Sequence, residues 1–119
     1  MISEYKPDSE FYTLERCHII ELHNHDEDKA CSIARARVEP GVTTQLHVLK
    51  GISERYVILE GEGRVEVESG PPTAVRPLDV VNIPADVPQK ITNTGEADLV
   101  FLCVCTPRFR PESYVNQET

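Results

Sequence analysis

Gly41-Val-Thr-Thr-Gln-Leu-His47-Val-Leu49-Lys-Gly-Ile-Ser-Glu54-Arg-Tyr56-Val-Ile-Leu-Glu-Gly61 is the stretch on which the fold turns. It sets one His and one Glu at a spacing that two β-strands joined by a tight turn bring together, and it ends in a glycine-rich turn, Gly61-Glu-Gly63. Outward from it, short apolar or alternating runs recur at residues 18–22, 31–38, 64–68, 80–83, 90–92 and 99–105. Each is closed by turn residues such as Glu39-Pro-Gly41, Gly70-Pro-Pro72, Pro84 or Asn93-Thr-Gly95. Helical periodicity is nearly absent. Many short strands with regular Gly and Pro punctuation predict an all-β sandwich or barrel.

The chain has 119 residues, enough for a single domain with one core. The first ten residues and the tail beyond Pro111 are expected as arms, disordered or lying across a partner subunit. Hydrophobic residues make up 39% of the chain, which excludes a disordered polypeptide. A formal net charge of −8 argues against nucleic acid and anionic membrane surfaces as partners. The longest apolar run, 99–105, is far too short to cross a bilayer. Residues 1–15 are polar and acidic with no signal-like apolar stretch, so a cytoplasmic protein is expected. The four cysteines, Cys17, Cys31, Cys103 and Cys105, are then expected as reduced thiols, with Cys103 and Cys105 sharing a strand face in the core.

A second block, Pro84-Ala-Asp86-Val-Pro-Gln89-Lys-Ile-Thr-Asn93, follows the first. Together the two resemble the paired motifs of the cupin superfamily, and the resemblance implies a domain core over about 32–107 of a single domain spanning 1–119. The first motif reads Gly, five residues, His-x-His, three or four residues, Glu, six residues, Gly. Gly41, His47, Glu54 and Gly61 fall in register, and Leu49 stands where the second His is expected. The second reads Pro-x-Gly-x-x-His-x-x-x-Asn. Pro84 and Asn93 match, with Asp86 in place of the Gly and Gln89 in place of the His. The resemblance implies a double-stranded β-helix, a jelly-roll barrel with a ligand cavity inside, and most commonly a homodimer. Residues 102–110 further resemble small bacterial cupins often labelled mannose-6-phosphate isomerase-like.

On that fold His47, Glu54 and Gln89 converge from three strands and are the expected ligands of a divalent ion, Fe, Mn, Ni or Zn. The competing reading is a metal-free cavity in which Gln89 and Glu54 hydrogen-bond to each other and Glu54 needs a proton or a cation to offset its burial. Glu54 and Tyr56 are the expected acid–base groups. Arg35 and Arg37 share a strand face. Pointing inward they would clamp a carboxylate or phosphate, and pointing outward they would balance surface acids; they are carried as substrate-binding candidates. His23 and His25, outside the motif register, are expected in a solvated turn. The functions that follow are a metal-assisted isomerase or lyase acting on a small polar carbonyl or sugar-related compound, a non-catalytic small-molecule-binding module, and an Fe(II) dioxygenase. The last is ranked lowest because one His of the two-His, one-carboxylate triad is missing.

Overall fold

The computed structural model describes residues 1–118. Eleven strands follow in chain order: β1 (Phe11–Tyr12), β2 (His18–His23), β3 (Ser32–Val38), β4 (His47–Leu49), β5 (Ser53–Glu60), β6 (Gly63–Val67), β7 (Thr73–Val75), β8 (Val80–Ile83), β9 (Gln89–Asn93), β10 (Leu99–Thr106) and β11 (Tyr114–Asn116). Short 3-10 turns at Pro7–Ser9 and Pro111–Ser113 are the helical elements among the described residues. Two antiparallel sheets face each other, one in the order β1-β2-β3-β10-β5-β8 and the other β11-β4-β9-β6-β7. The all-β jelly-roll barrel expected from the sequence is therefore observed.

Period-two alternation decides what each strand turns inward. On β5 the buried set is Glu54, Tyr56 and Ile58, and on β9 it is Gln89, Ile91 and Asn93. Of these, Tyr56, Ile58 and Ile91 join Ile19, Val38, Val65, Ile83, Leu99 and Phe101 in one core between the sheets. On β3 the inward residues are Ala36 and Val38, with Ala34 packed against the same core.

That alternation turns Arg35 and Arg37 outward, so of the two orientations considered the inward-pointing one, which would clamp a ligand in the cavity, is corrected. They lie on the outer face of β3, where Arg37 reaches Glu10 at 2.6 Å and Asp98 at 3.2 Å, and Arg35 reaches Glu10 at 3.7 Å. The inward face takes the small alanines because Ala36 sits directly across from Phe101 on β10, where the Phe101 ring fills the space. The terminal segments, expected as arms, pack against the barrel. Glu10 ties the amino-terminal segment to β3, β11 pairs with β4 (Tyr114 opposite Leu49), and Arg16 bridges to Glu118 at 2.8 Å. Both ends lie on their own barrel.

The motif residues have structural reasons. Gly61 has φ +82°, and a Cβ there would come within 2.6 Å of the Asp98 carbonyl oxygen. Asp86, at the position where the motif has Gly, also adopts a left-handed φ of +67°. Asp is among the few residues that tolerate this region. Its Oδ1 accepts from the Gly51 N–H at 3.0 Å and its own N–H donates to the Leu49 carbonyl at 3.1 Å, clamping the β8–β9 loop to the β4–β5 turn. Asn93 is buried, donates from Nδ2 to the Val38 and Ala97 carbonyls at 2.8 Å each, and accepts from the Gly95 N–H at 2.9 Å. It staples two loops and faces no ligand.

Candidate functional site

The site forms where the two sheets face each other. On one side β5 brings Glu54 opposite Cys105 and Tyr56 opposite Cys103 of β10. On the other, β4 and β9 pair so that His47 stands opposite Gln89. His47, Leu49, Glu54 and Tyr56 line a cavity of about 60 Å³ together with Glu15, Cys17, Thr44, Phe101 and Cys103. Phe109 and Tyr114 close it on the side of the carboxy-terminal segment. A space of that size holds a few waters or one small functional group.

His47 is held from two sides. Its Nδ1 lies 2.7 Å from the Gln45 carbonyl oxygen, and a carbonyl only accepts, so Nδ1 carries a proton and Nε2 keeps its lone pair in the neutral ring. Tyr114 stacks on the imidazole at 4.6 Å between centroids and donates its hydroxyl to Gln45 Oε1 at 2.6 Å. Glu15 Oε2 sits 3.8 Å from Nδ1.

Glu54 is the anomaly of the interior. It is 6% exposed, and its Oε1 has no hydrogen-bond partner, while Oε2 accepts from the Cys105 thiol at 3.7 Å. Burial pushes its carboxyl up to about 7, with the Glu15 carboxylate adding to the rise and the Gln89 amide and the Cys105 and Cys103 thiols acting the other way. Tyr56 is raised well above the usual phenol range, by burial first and by Glu54 second. Its hydroxyl donates to Gln89 Oε1, and its ring packs against Phe101 at 4.5 Å. Cys17, Cys103 and Cys105 are likewise raised, chiefly by burial, and stay protonated thiols.

Of the residues expected at the site, His47, Glu54 and Tyr56 share the cavity wall. Gln89 is buried beside them, but its amide oxygen is committed to Tyr56. His23 and His25 lie at the end of β2, away from the cavity, where His23 bonds Ser3 at 2.6 Å and Asp28 at 2.8 Å. The expectation missed Glu15 and Cys17, which the β1–β2 hairpin turns into the cavity, and Tyr114, which β11 brings over His47. The one signal for the first two is the Thr13/Glu15/Cys17 alternation.

The family model described as "Cupin domain" matches residues 34–105. The chain belongs to the cupin family. The cupin is 37% identical over 83 residues to an "Oxalate-binding protein" of Thermotoga maritima, a match covering 70% of this chain and 64% of that protein. It is 36% identical over 81 residues to an uncharacterised protein of Methanocaldococcus jannaschii, covering 68% of this chain and 64% of that one. The matches thus span a little less than two thirds of the length of these relatives. Among solved structures it resembles a Thermotoga maritima protein described as a predicted oxalate decarboxylase, at a TM-score of 0.70 and 31% identity over 76% of this chain and 80% of the other.

Cupins commonly bind divalent metals, and this chain's donors meet that requirement incompletely. His47 Nε2 and the unpartnered Glu54 Oε1 are available. Gln89 Oε1 already accepts from Tyr56, and Leu49 offers nothing. Among the described residues no three His, Cys, Asp or Glu side chains gather in a metal-holding cluster. A resident first-row ion takes three or four protein donors, so this set as folded does not fit one.

Proposed function

We propose that this cupin binds a small, uncharged, polar carbonyl or sugar-related compound in the barrel cavity and moves a proton on it, as an isomerase- or lyase-type enzyme. The observation that carries this reading is Glu54, a buried carboxyl with an unpartnered oxygen and a pKa pushed up to about 7, on the wall of a cavity shared with His47 and Tyr56. A carboxyl poised near neutrality serves as acid and as base in the same turnover. Its carboxylate takes the proton from the carbon beside the carbonyl, the C–H electron pair becomes the C=C bond of an enolate as the carbonyl π pair moves onto oxygen, and the carboxyl exchanges its proton with water. It then returns a proton to the same carbon, which reads as exchange, or, once the neighbouring hydroxyl proton has passed to the enolate oxygen, to the adjacent carbon, which completes the isomerisation. His47 Nε2 accepts a hydrogen bond from a ligand hydroxyl. Tyr56 stays protonated and acts by orienting the ligand, because its own proton is held by Gln89.

Charge supports an uncharged ligand. The cavity wall carries two carboxyls, Glu15 and Glu54, and no Lys or Arg. A free dicarboxylate would meet repulsion there. The relative named as an oxalate-binding protein favours a second reading, in which a small dicarboxylate enters with a divalent ion, Fe, Mn, Ni or Zn, that His47 and Glu54 share with the ligand itself. A non-catalytic binding module would use the same cavity without turnover. We also propose a homodimer, with exposed Leu78 and Val80 beside the open edge of β8 as its contact; light scattering of a Val80→Glu variant tests it.

The test follows the α-protons of hydroxyacetone and dihydroxyacetone by NMR in D₂O, with parent and Glu54→Gln, and repeats the ligand titrations with oxalate in the presence and absence of Mn²⁺. Exchange by the parent that is lost in Glu54→Gln carries the acid–base reading. Equal rates in both proteins sink it. Oxalate binding that requires Mn²⁺ selects the second reading, and ligand binding without exchange selects the binding module.

A further inference from the structure

The small cavity has two neighbours on the side of Phe109. A second hollow of about 130 Å³ touches Glu54, Cys103 and Cys105, and an open groove of about 600 Å³ lies outside it. The second hollow shares Glu15, Glu54, Cys103 and Phe109 with the small cavity and Phe11, Thr13, Glu15, Glu21 and Phe109 with the groove, so the three lie side by side between the Glu54 carboxyl and the surface. The inner end is small and polar. The outer end lies between the β1–β2 hairpin and the carboxy-terminal segment and is walled mainly by Phe11, Leu14, Phe109, Pro111 and Tyr114.

Nothing in the described chain covers that outer wall. Leu14 is 91% exposed and Phe11 50%. Groups that would draw a charged occupant are weak or spent. Arg108, at the rim, is paired with Asp26 at 2.5 Å and Asn24 at 2.8 Å, and the other ionisable side chains facing the groove are the carboxyls of Glu15 and Glu21 and the phenol of Tyr114. The chain as a whole carries −8. A ligand that extends outward from the cavity therefore leaves a polar interior for an apolar wall with acidic edges.

Resting on the reading above that the cavity takes a small uncharged polar compound, we propose that this compound is amphiphilic: a small uncharged polar head at Glu54 and His47, joined to an apolar body, a ring or short alkyl chain, that lies in the groove against Phe11, Leu14 and Phe109. The groove is then a specificity subsite. The head sets the chemistry and the body supplies most of the affinity, because a buried phenyl-sized surface contributes far more than the few polar contacts available inside. It also separates this chain from a binder of a bare two-carbon acid, which would leave the groove empty.

The experiment compares hydroxyacetone with 1-hydroxy-3-phenylpropan-2-one, the same head carrying a phenyl body, by NMR titration of the full chain. The phenyl compound should bind at least about tenfold more tightly. In a Phe11→Ser/Leu14→Ser double variant, changed only at exposed positions, that advantage should fall to about threefold or less. Equal affinity of the two probes for the parent overturns the subsite while leaving the Glu54 reading standing. An advantage that survives in the double variant overturns it too. A parent dimer that the double variant dissolves, seen by light scattering, assigns the groove to a second copy and overturns it as well. If neither probe binds, the subsite and the reading it rests on fall together.

Discussion

Replacing Glu54 by Gln should stabilise the protein at alkaline pH and leave it unchanged in acid. The side chain is buried, one of its oxygens has no partner, and its carboxyl is pushed from the ordinary 4.5 up to about 7. A carboxyl raised in the folded state binds protons more tightly there than in the unfolded chain. Stability is therefore full below pH 4.5, falls as pH rises from there toward 7, and levels off above it. The difference of about 2.5 units corresponds to about 3 kcal/mol of stability lost by the parent between pH 4 and pH 8.5. Gln has nearly the same shape and cannot ionise, so the variant escapes this loss.

Urea denaturation of parent and Glu54→Gln at pH 4, 6 and 8.5 measures the effect. The variant should match the parent at pH 4 and exceed it by about 3 kcal/mol at pH 8.5, roughly 10 °C in melting temperature. Other titrating groups cancel in the difference between the two proteins. A gap that does not change with pH would refute the reasoning, since Glu54 would then ionise equally easily in both states. A Glu15→Gln variant probes the second cause: with the Glu15 charge gone, the midpoint of the pH dependence should move down.

Three further outcomes are expected. Calorimetric titration with Zn²⁺ or Mn²⁺ should give weak binding for the parent and markedly tighter binding for Leu49→His/Gln89→His, which supplies two more imidazoles beside His47 and Glu54. Arg37→Ala should cost no more than about 1 kcal/mol in urea denaturation, because its ion pairs to Glu10 and Asp98 are half-exposed, and should leave cavity ligand binding unchanged. Asp86→Gly should be neutral to within about 1 kcal/mol, the relief of left-handed strain offsetting the lost bond to the Gly51 N–H; Asp86→Ala loses the bond, keeps the strain, and should cost about 2 kcal/mol in the same assay.

β3, β8 and β10 were legible because they are long enough to read and are punctuated by Gly and Pro: β8 falls on the run read from sequence, and β3 and β10 differ from theirs by one residue at an end, while the three-residue β4, which carries His47, was placed by the motif. β7 and β11 were not legible, since three residues are too few to show a period and the tail around β11 is polar. Alternation groups side chains into faces without saying which face turns inward. For β3 that choice rests on Ala36 meeting Phe101 across the sheet, a contact between residues 65 positions apart that no local pattern encodes. Glu15 was hidden for a related reason. It enters the cavity because the Gln45 N–H bonds the Glu15 carbonyl at 3.0 Å and Arg16 reaches the Thr43 carbonyl at 2.9 Å, pinning the hairpin turn to the segment before β4.

Two of the departures from the family motif, Leu49 and Gln89, bear on Glu54, burial raising its pKa and the Gln89 amide acting the other way. Leu49 packs with Ile52 and Cys105, against Phe109 and Tyr114, and makes that side of the cavity apolar. Burial is the first cause of Glu54's raised pKa, so an apolar residue at this ligand position pushes the carboxyl in the direction observed. Gln89 cannot titrate near neutral pH, and its oxygen takes the Tyr56 proton, which ties up the third donor an ion would have used. A cation close to Glu54 would hold it ionised at neutral pH; without that charge it is poised between acid and base. At Leu49 the substitution that weakens metal affinity is also one that raises the carboxyl toward neutrality. Losing an ion ligand and gaining a proton-transfer group are there two consequences of one change in the polarity of the cavity wall.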